Sequence, residues 1–223
     1  MAPTLIDLTQ PLDSEVPVYP GDPPFSCRQY YTVPRDGYSV HALSCSSHVG
    51  THVDAPSHFL VDGATVDQLS LSTFILPALV LDVSHMKARQ CITWDTVEPL
   101  AHRIHPGTAL GPEVTLLLCT GWSQHWGRKE YMKSPHLSEE AAKEIMERGV
   151  RVVGIDVFSV DGEVPEGAVE TVHRLLLGNG ILIVENLTNV EALLDGSAYL
   201  VSLLPLKLQG CDGSPIRAVA WKV

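Results

Sequence analysis

Positive charge is in short supply in this sequence: 15 Lys and Arg stand against 26 Asp and Glu, a formal net charge of −11. That balance argues against nucleic acid as a partner, because phosphate backbones select basic surfaces. No apolar run approaches the ~20 residues that a membrane-spanning helix needs, so no membrane association is expected. The N-terminus has no basic segment followed by an apolar one, and no secretory signal is expected either. Cysteine is sparse and unpaired. The five, at positions 27, 45, 91, 119 and 211, are widely spaced, odd in number and without a CxxC pair. Reduced thiols in a cytoplasmic protein account for that pattern. There is no GxSxG elbow to carry a serine nucleophile, no internal repeat, no low-complexity tract and no linker. Residues 1–223 therefore read as one domain, long enough to bury a sizeable core.

Histidine, by contrast, is concentrated. His48 to His58 reads HVGTHVDAPSH and places His48, His52, Asp54 and His58 at offsets 0, 4, 6 and 10. Neutral imidazole nitrogen and carboxylate oxygen are the donors that zinc and similar divalent ions prefer. A helix would bring His48 and His52 together, but Gly50, Thr51 and Val53 are weak helix formers and Pro56 would break the helix. A straight strand puts all four side chains on one face but leaves i and i+4 roughly 13 Å apart at ~3.3 Å per residue. Two nitrogens on one ion can be no more than about 4 Å apart. The segment must bend, and Gly50 is the natural place. The expectation is a kinked strand running into a loop whose exit Pro56 fixes. Cys45, three residues earlier, would point to the opposite face of an extended strand.

A second constellation lies downstream. Gly167–Leu177 reads as a helix stopped by Gly178-Asn179-Gly180. The apolar run 181–184 then reads as a buried strand ending on Glu185-Asn186. His173 and Glu185 are candidate ligands, either for a second ion or to complete the first. Asp161 either bonds within its own loop or orients a metal ligand. Leu79–Val83, Val114–Cys119 and Val152–Val157 look like buried strands. Ser138 can cap a helix running through Arg148, with Glu139 and Glu140 in its first turn. Tyr199–Leu208 and Ile216–Lys222 look like paired strands. Interspersed strands and helices allow a parallel α/β sheet, whereas the hairpin-like C-terminus points to a mixed one. Trp122, after a buried strand, reads as packing more than as a substrate clamp, and His125 and Trp126 can line the same mouth. His41, His85, His102, His105 and His136 have no ligand-like spacing and read as surface or capping residues.

The pattern HxGTHxDxPxH, with a His and a Glu twelve residues apart near the C-terminus, resembles the cyclase family of metal-dependent hydrolases. Kynurenine formamidases and isatin hydrolases are its best-described members. PVYPGDPP at Pro17 to Pro24, GVRVVGIDVFSVD at Gly149 to Asp161, and the closing segments 204–207 and 214–218 are similar too. The resemblance implies an α/β fold, a swivelling β/β/α domain with a barrel-like mixed sheet. It implies two divalent metal ions, zinc first and manganese next. His48, His52 and Asp54 would hold the first ion, with Asp54 reaching the second, while His173 would hold the second and Glu185 bridge both. His58 would be the catalytic acid/base. Tyr19 stands where kynurenine formamidases carry a Trp against the substrate ring, and Val157 and Phe158 stand where they carry Thr and Pro. The implied activity is hydrolysis of a small aromatic amide, an aryl formamide, by water that the ions activate. An isatin-type cyclic amide or a lactone is the alternative substrate, and a metal-binding homologue without turnover is the alternative outside enzymes. Family members commonly associate, which implies a homo-oligomer, dimer or tetramer.

Overall fold

A computed structural model describes residues 3–101, 113–162 and 170–223. His102, His105 and the expected helix start at Gly167 lie outside them. The chain begins with β1 (Ile6–Asp7) and a hairpin of β2 (Ser26–Tyr31) and β3 (Val40–Ser44) around the short helix α1 (Val33–Asp36). β4 (His52–Asp54), β5 (Ile75–Asp82), the minor strand β6 (Cys91–Ile92) and α2 (Trp94–Ala101) follow. Then come β7 (Thr115–Cys119), β8 (His136–Leu137), α3 (Glu139–Glu147), β9 (Val152–Ile155), α4 (Thr171–Gly178) and β10 (Leu182–Glu185). β11 (Tyr199–Ser202), β12 (Gly213–Pro215) and β13 (Val219–Lys222) complete the set.

Nine of these strands form one sheet in the order β1-β13-β11-β5-β7-β9-β10-β4-β12. β5, β7, β9 and β10 run parallel at its centre. The strands on either side are antiparallel, so the sheet is mixed. Parallel strands are buried on both faces, which is why they read as continuous apolar runs. Alternate residues divide between two cores. Leu81, Leu116, Leu118, Ile155 and Ile183 face the helices, meeting Val97, Ala141, Ile145 and Leu176. Val80, Leu117, Val152, Leu182 and Val184 face the other way, toward Leu8, Val53, Tyr199 and Ala220. On that second side the sheet curls over itself. Leu8 donates to the carbonyl of Ala218 (2.9 Å) and accepts from the amide of Thr188 (3.1 Å), tying the β1 edge to the chain beyond β10. A bridge between Pro205 and Ile216 ties the far ends in the same way. The result is the expected mixed α/β fold with a curled, half-barrel sheet.

The element limits differ from the sequence reading for local reasons. β9 stops at Ile155 because Asp156 turns away to accept from the Thr120 amide, the Thr120 hydroxyl and the Gly121 amide at 2.6–2.8 Å. The C-terminal pair is shorter than expected: β11 ends at Ser202 and β13 starts at Val219. α3 is capped as expected, the Ser138 hydroxyl accepting from the Ala141 amide at 3.0 Å. α4 buries Val172, His173, Leu176 and Leu177 along one stripe, so its His faces inward with the apolar residues. Among the described residues no helix is long and apolar enough to cross a membrane.

Candidate metal centre

The site forms where β4 pairs with β10. Their antiparallel register sets His52 opposite Glu185 and Asp54 opposite Ile183. His52, Asp54 and Glu185 share the parity that faces α4, opposite to that of Val53 and Val184. The bend anticipated at Gly50 is present: its φ is +62°, a left-handed conformation that glycine adopts without strain. The strand itself is shorter than expected. It begins only at His52, and His48 sits in the turn before it. Pro56 opens a 3-10 turn, Pro56–His58, which carries His58 back toward the cluster.

Each ligand-like imidazole has one nitrogen engaged by an outer acceptor. His52 donates through Nδ1 to the Gly50 carbonyl (2.8 Å). His173 donates through Nδ1 to Asp161 Oδ2 (2.7 Å), and Asp161 also accepts from the Val172 and His173 amides at the start of α4 (both 3.0 Å). His48 donates through Nε2 to Asp212 Oδ2 (2.9 Å). The remaining nitrogens converge on two carboxylates. His48 Nδ1 lies 2.7 Å and His52 Nε2 3.3 Å from Asp54 Oδ1. His173 Nε2 lies 3.6 Å from Asp54 Oδ2 and 3.3 Å from Glu185 Oε1. The Val160 amide donates to Glu185 Oε1 at 2.8 Å and fixes that carboxylate.

Two triads result, His48–His52–Asp54 and Asp54–His173–Glu185, with the donor atoms of each within 4.8 Å of one another. They share Asp54, whose Oδ2 is buried without a hydrogen-bond partner. A buried carboxylate oxygen left bare is costly. Here it faces His173, whose outer nitrogen is already occupied by Asp161, the arrangement that orients a metal ligand. The electrostatics agree. Burial opposes charge on His48, but its hydrogen bonds to Asp212 and Asp54 outweigh this and raise its pKa to about 10. Burial likewise opposes charge on His173, and Asp161, Asp54 and Glu185 raise it well above the ordinary histidine value. Burial alone would raise the Asp54 pKa, yet the surrounding imidazoles hold it well below the usual carboxylate range. The cluster demands positive charge, and the donor set fits divalent ions.

The other named residues fall into place around this centre. The His58 ring stacks on His48 with centroids 3.9 Å apart and stands 6.0 Å from that of His173. Tyr19, 47% exposed, lies parallel to Phe158 at 6.0 Å, and its hydroxyl donates to Glu170 Oε1 (3.2 Å). Phe158 in turn meets Tyr131 edge-on. Trp122 is a packing residue: it lies against the helical core, and its Nε1 donates to the Tyr131 carbonyl (3.1 Å). His125 leans on Trp122 and Trp126 on Tyr131, so neither reaches the metal-ligating cluster directly. Cys45 is exposed and joins none of the metal-ligating groups among the described residues. His136 is half-buried on β8, not a surface residue. Asp212 is the residue that the sequence did not reveal. Its only signal is an Asp-Gly step beside a segment already singled out.

Gly50 supplies no ligand, yet its carbonyl accepts from both His52 Nδ1 and Asn186 Nδ2 (2.8 and 2.9 Å). A Cβ there would run into Leu12, and a β-branched residue resists the left-handed backbone. Gly50→Val is therefore expected to weaken zinc binding and lower Tm together, measured by chelator competition and calorimetry. Wild-type values for both would mean that the bend does not set the site.

The chain is similar along most of its length to proteins of one family. The Cyclase family model matches residues 6–162. A kynurenine formamidase from Bacillus mycoides (strain KBAB4) is 36% identical over 217 residues, covering 96% of this chain and 95% of its own. Isatin hydrolase A from Ralstonia solanacearum superimposes with a TM-score of 0.86 at 25% identity, over 99% of this chain and 92% of that one. A predicted metal-dependent hydrolase from Bacillus stearothermophilus gives a TM-score of 0.76 at 26% identity, over 99% and 98%.

Proposed function

This chain belongs to the Cyclase family, and on that premise we propose that it is a metal-dependent amide hydrolase of the kynurenine formamidase kind. Its substrate is an aryl formamide such as N-formylkynurenine. The observation that carries the reading is the pair of triads sharing Asp54, with the outer nitrogen of every imidazole already engaged. We assign His48, His52 and Asp54 to one divalent ion and Asp54, His173 and Glu185 to a second. Zinc suits the donors first and manganese next. Bound there, such ions supply a Lewis acid for the carbonyl and a water acidified toward pKa ~7.

The chain itself supplies the proton path and the walls. His58, stacked beside His48 and partly open, takes a proton from the attacking water and returns one to the departing arylamine nitrogen. An amide nitrogen leaves poorly without that proton, which is why a partly open imidazole belongs at this edge. Tyr19 and Phe158 offer parallel aromatic faces for the substrate ring. The exposed hairpin of β2 and β3, with Tyr30 64% and Leu43 68% accessible, supports a homo-oligomer, dimer or tetramer. A monomeric mass in light scattering would remove that reading. The free thiols, two of them exposed, suit a reducing cytoplasm.

The likeness to an isatin hydrolase favours one second reading, ring opening of a cyclic amide. Assaying zinc-loaded protein on N-formylkynurenine, isatin and simple lactones, with elemental analysis alongside, separates the two. The formamide is expected to have the highest kcat/KM, with about two ions per chain. A preference for isatin selects the second reading. Full metal load without turnover of any substrate would leave a binding protein.

A further inference from the structure

Asp212 lies on the turn leading into β12, and two features press that turn against the metal-ligating segment. The Asp212 carbonyl accepts from the Ala55 amide (2.8 Å), and Gly213 pairs with Asp54 across the β12–β4 ladder. Gly213 leaves no room for a side chain: a Cβ would stand 2.7 Å from His48 Cε1 and 2.9 Å from the Val53 carbonyl oxygen. This close approach delivers the carboxylate to the outer edges of two imidazoles at once. Its Oδ1 accepts from the Ser47 hydroxyl (2.8 Å). Its Oδ2 accepts from His48 Nε2 (2.9 Å) and from His58 Nδ1 (3.2 Å), the two rings lying stacked.

We infer that Asp212 is a positioning residue that sets the tautomer and orientation of both His48 and His58 through one shared oxygen. The inference rests on the hydrolase reading for its kinetic consequence, not for its geometry. An ionised carboxylate can only accept, so both facing nitrogens must carry hydrogen. On His48 this leaves Nδ1, 2.7 Å from Asp54 Oδ1, as the one nitrogen whose proton an ion could displace. His58 is left with Nε2 as its basic nitrogen, the one that must take and return a proton. Because the oxygen is shared, ligand geometry and proton transfer are coupled: disturbing Asp212 disturbs both. Neither Asp161, which serves His173 alone, nor the Gly50 carbonyl, which serves His52, has that double role.

The test uses zinc-loaded protein, with imidazole nitrogens read by 15N NMR. Wild-type His58 is expected to be protonated at Nδ1 and not at Nε2. Asp212→Asn, whose amide can turn a donor toward one ring, is expected to mix the His58 tautomers. It should also weaken zinc affinity by roughly 10–100-fold in chelator competition, the usual effect of an outer carboxylate on a ligated His. On a formanilide, kcat should fall with KM nearly unchanged, and Asp212→Glu should restore part of the loss. Wild-type His58 protonated at Nε2 would overturn the inference even if the Asn variant failed to fold. So would a folded Asn variant with wild-type tautomer, zinc affinity and kcat. Protein that shows the expected tautomer and affinity changes but hydrolyses nothing would sink the hydrolase reading and leave Asp212's positioning role standing.

Discussion

Asp54→Asn should remove both bound ions in one step. Oδ1 faces His48 and His52 while Oδ2 faces His173, so a single carboxylate serves two triads. Asparagine keeps the shape but replaces one oxygen with an amide nitrogen that cannot ligate, and it removes the charge that gathers the imidazoles. Elemental analysis should show the metal content falling from about two per chain to below one. Outer partners are worth roughly 10–100-fold, so loss of this shared carboxylate should cost at least ~10³ in kcat/KM. Far-ultraviolet circular dichroism should stay at the wild-type level, because the β4–β10 ladder depends on backbone bonds. A variant that holds two ions and works within tenfold of wild type would end the shared-carboxylate model.

His58→Ala should separate metal binding from chemistry. The ring stacks on His48 but is absent from both triads that share Asp54, so the metal load should be kept. On formanilides kcat should fall by roughly 10²–10⁴, the usual worth of a positioned acid/base. Activated phenyl esters, whose leaving group needs no proton, should lose much less. Equal losses on both substrates, or loss of an ion, would make His58 a ligand or a purely steric element. His48, His58 and Asp212 form a third group of described residues close enough to hold an ion, which makes that control necessary.

Much of the candidate site could be read from residue types alone, because ligand chemistry restricts them so strongly. The bend at Gly50 followed from comparing two distances, the reach of a strand and the span of a coordination sphere. His173 and Glu185 were weaker signals: a helix His and a strand Glu are ordinary, and only the β4–β10 register, for Glu185, and the buried stripe of α4, for His173, make them neighbours of His52 and Asp54. Asp212 stayed hidden because a turn of small residues discloses nothing about what it is pressed against. Its two imidazole contacts span 164 and 154 positions of sequence. The central strands were legible because burial on both faces leaves no polar alternation to obscure them. The β2–β3 hairpin was not, since its residues are mostly exposed and its pattern mimics a loop.

The bond that Asn186 donates to the Gly50 carbonyl, across 136 positions, carries a consequence for how the protein is made. On the ribosome, the first two imidazoles and Asp54 emerge long before the strand that ends in Glu185 exists. Contacts of such long range form late, after much chain entropy has been lost. A nascent chain therefore offers only a partial set of donors on a flexible tether, a poor trap for any ion. On the metal-dependent reading, selection would fall to the finished fold, which brings the donor atoms of each triad within 4.8 Å of one another, and not to whichever cation first meets the growing polypeptide.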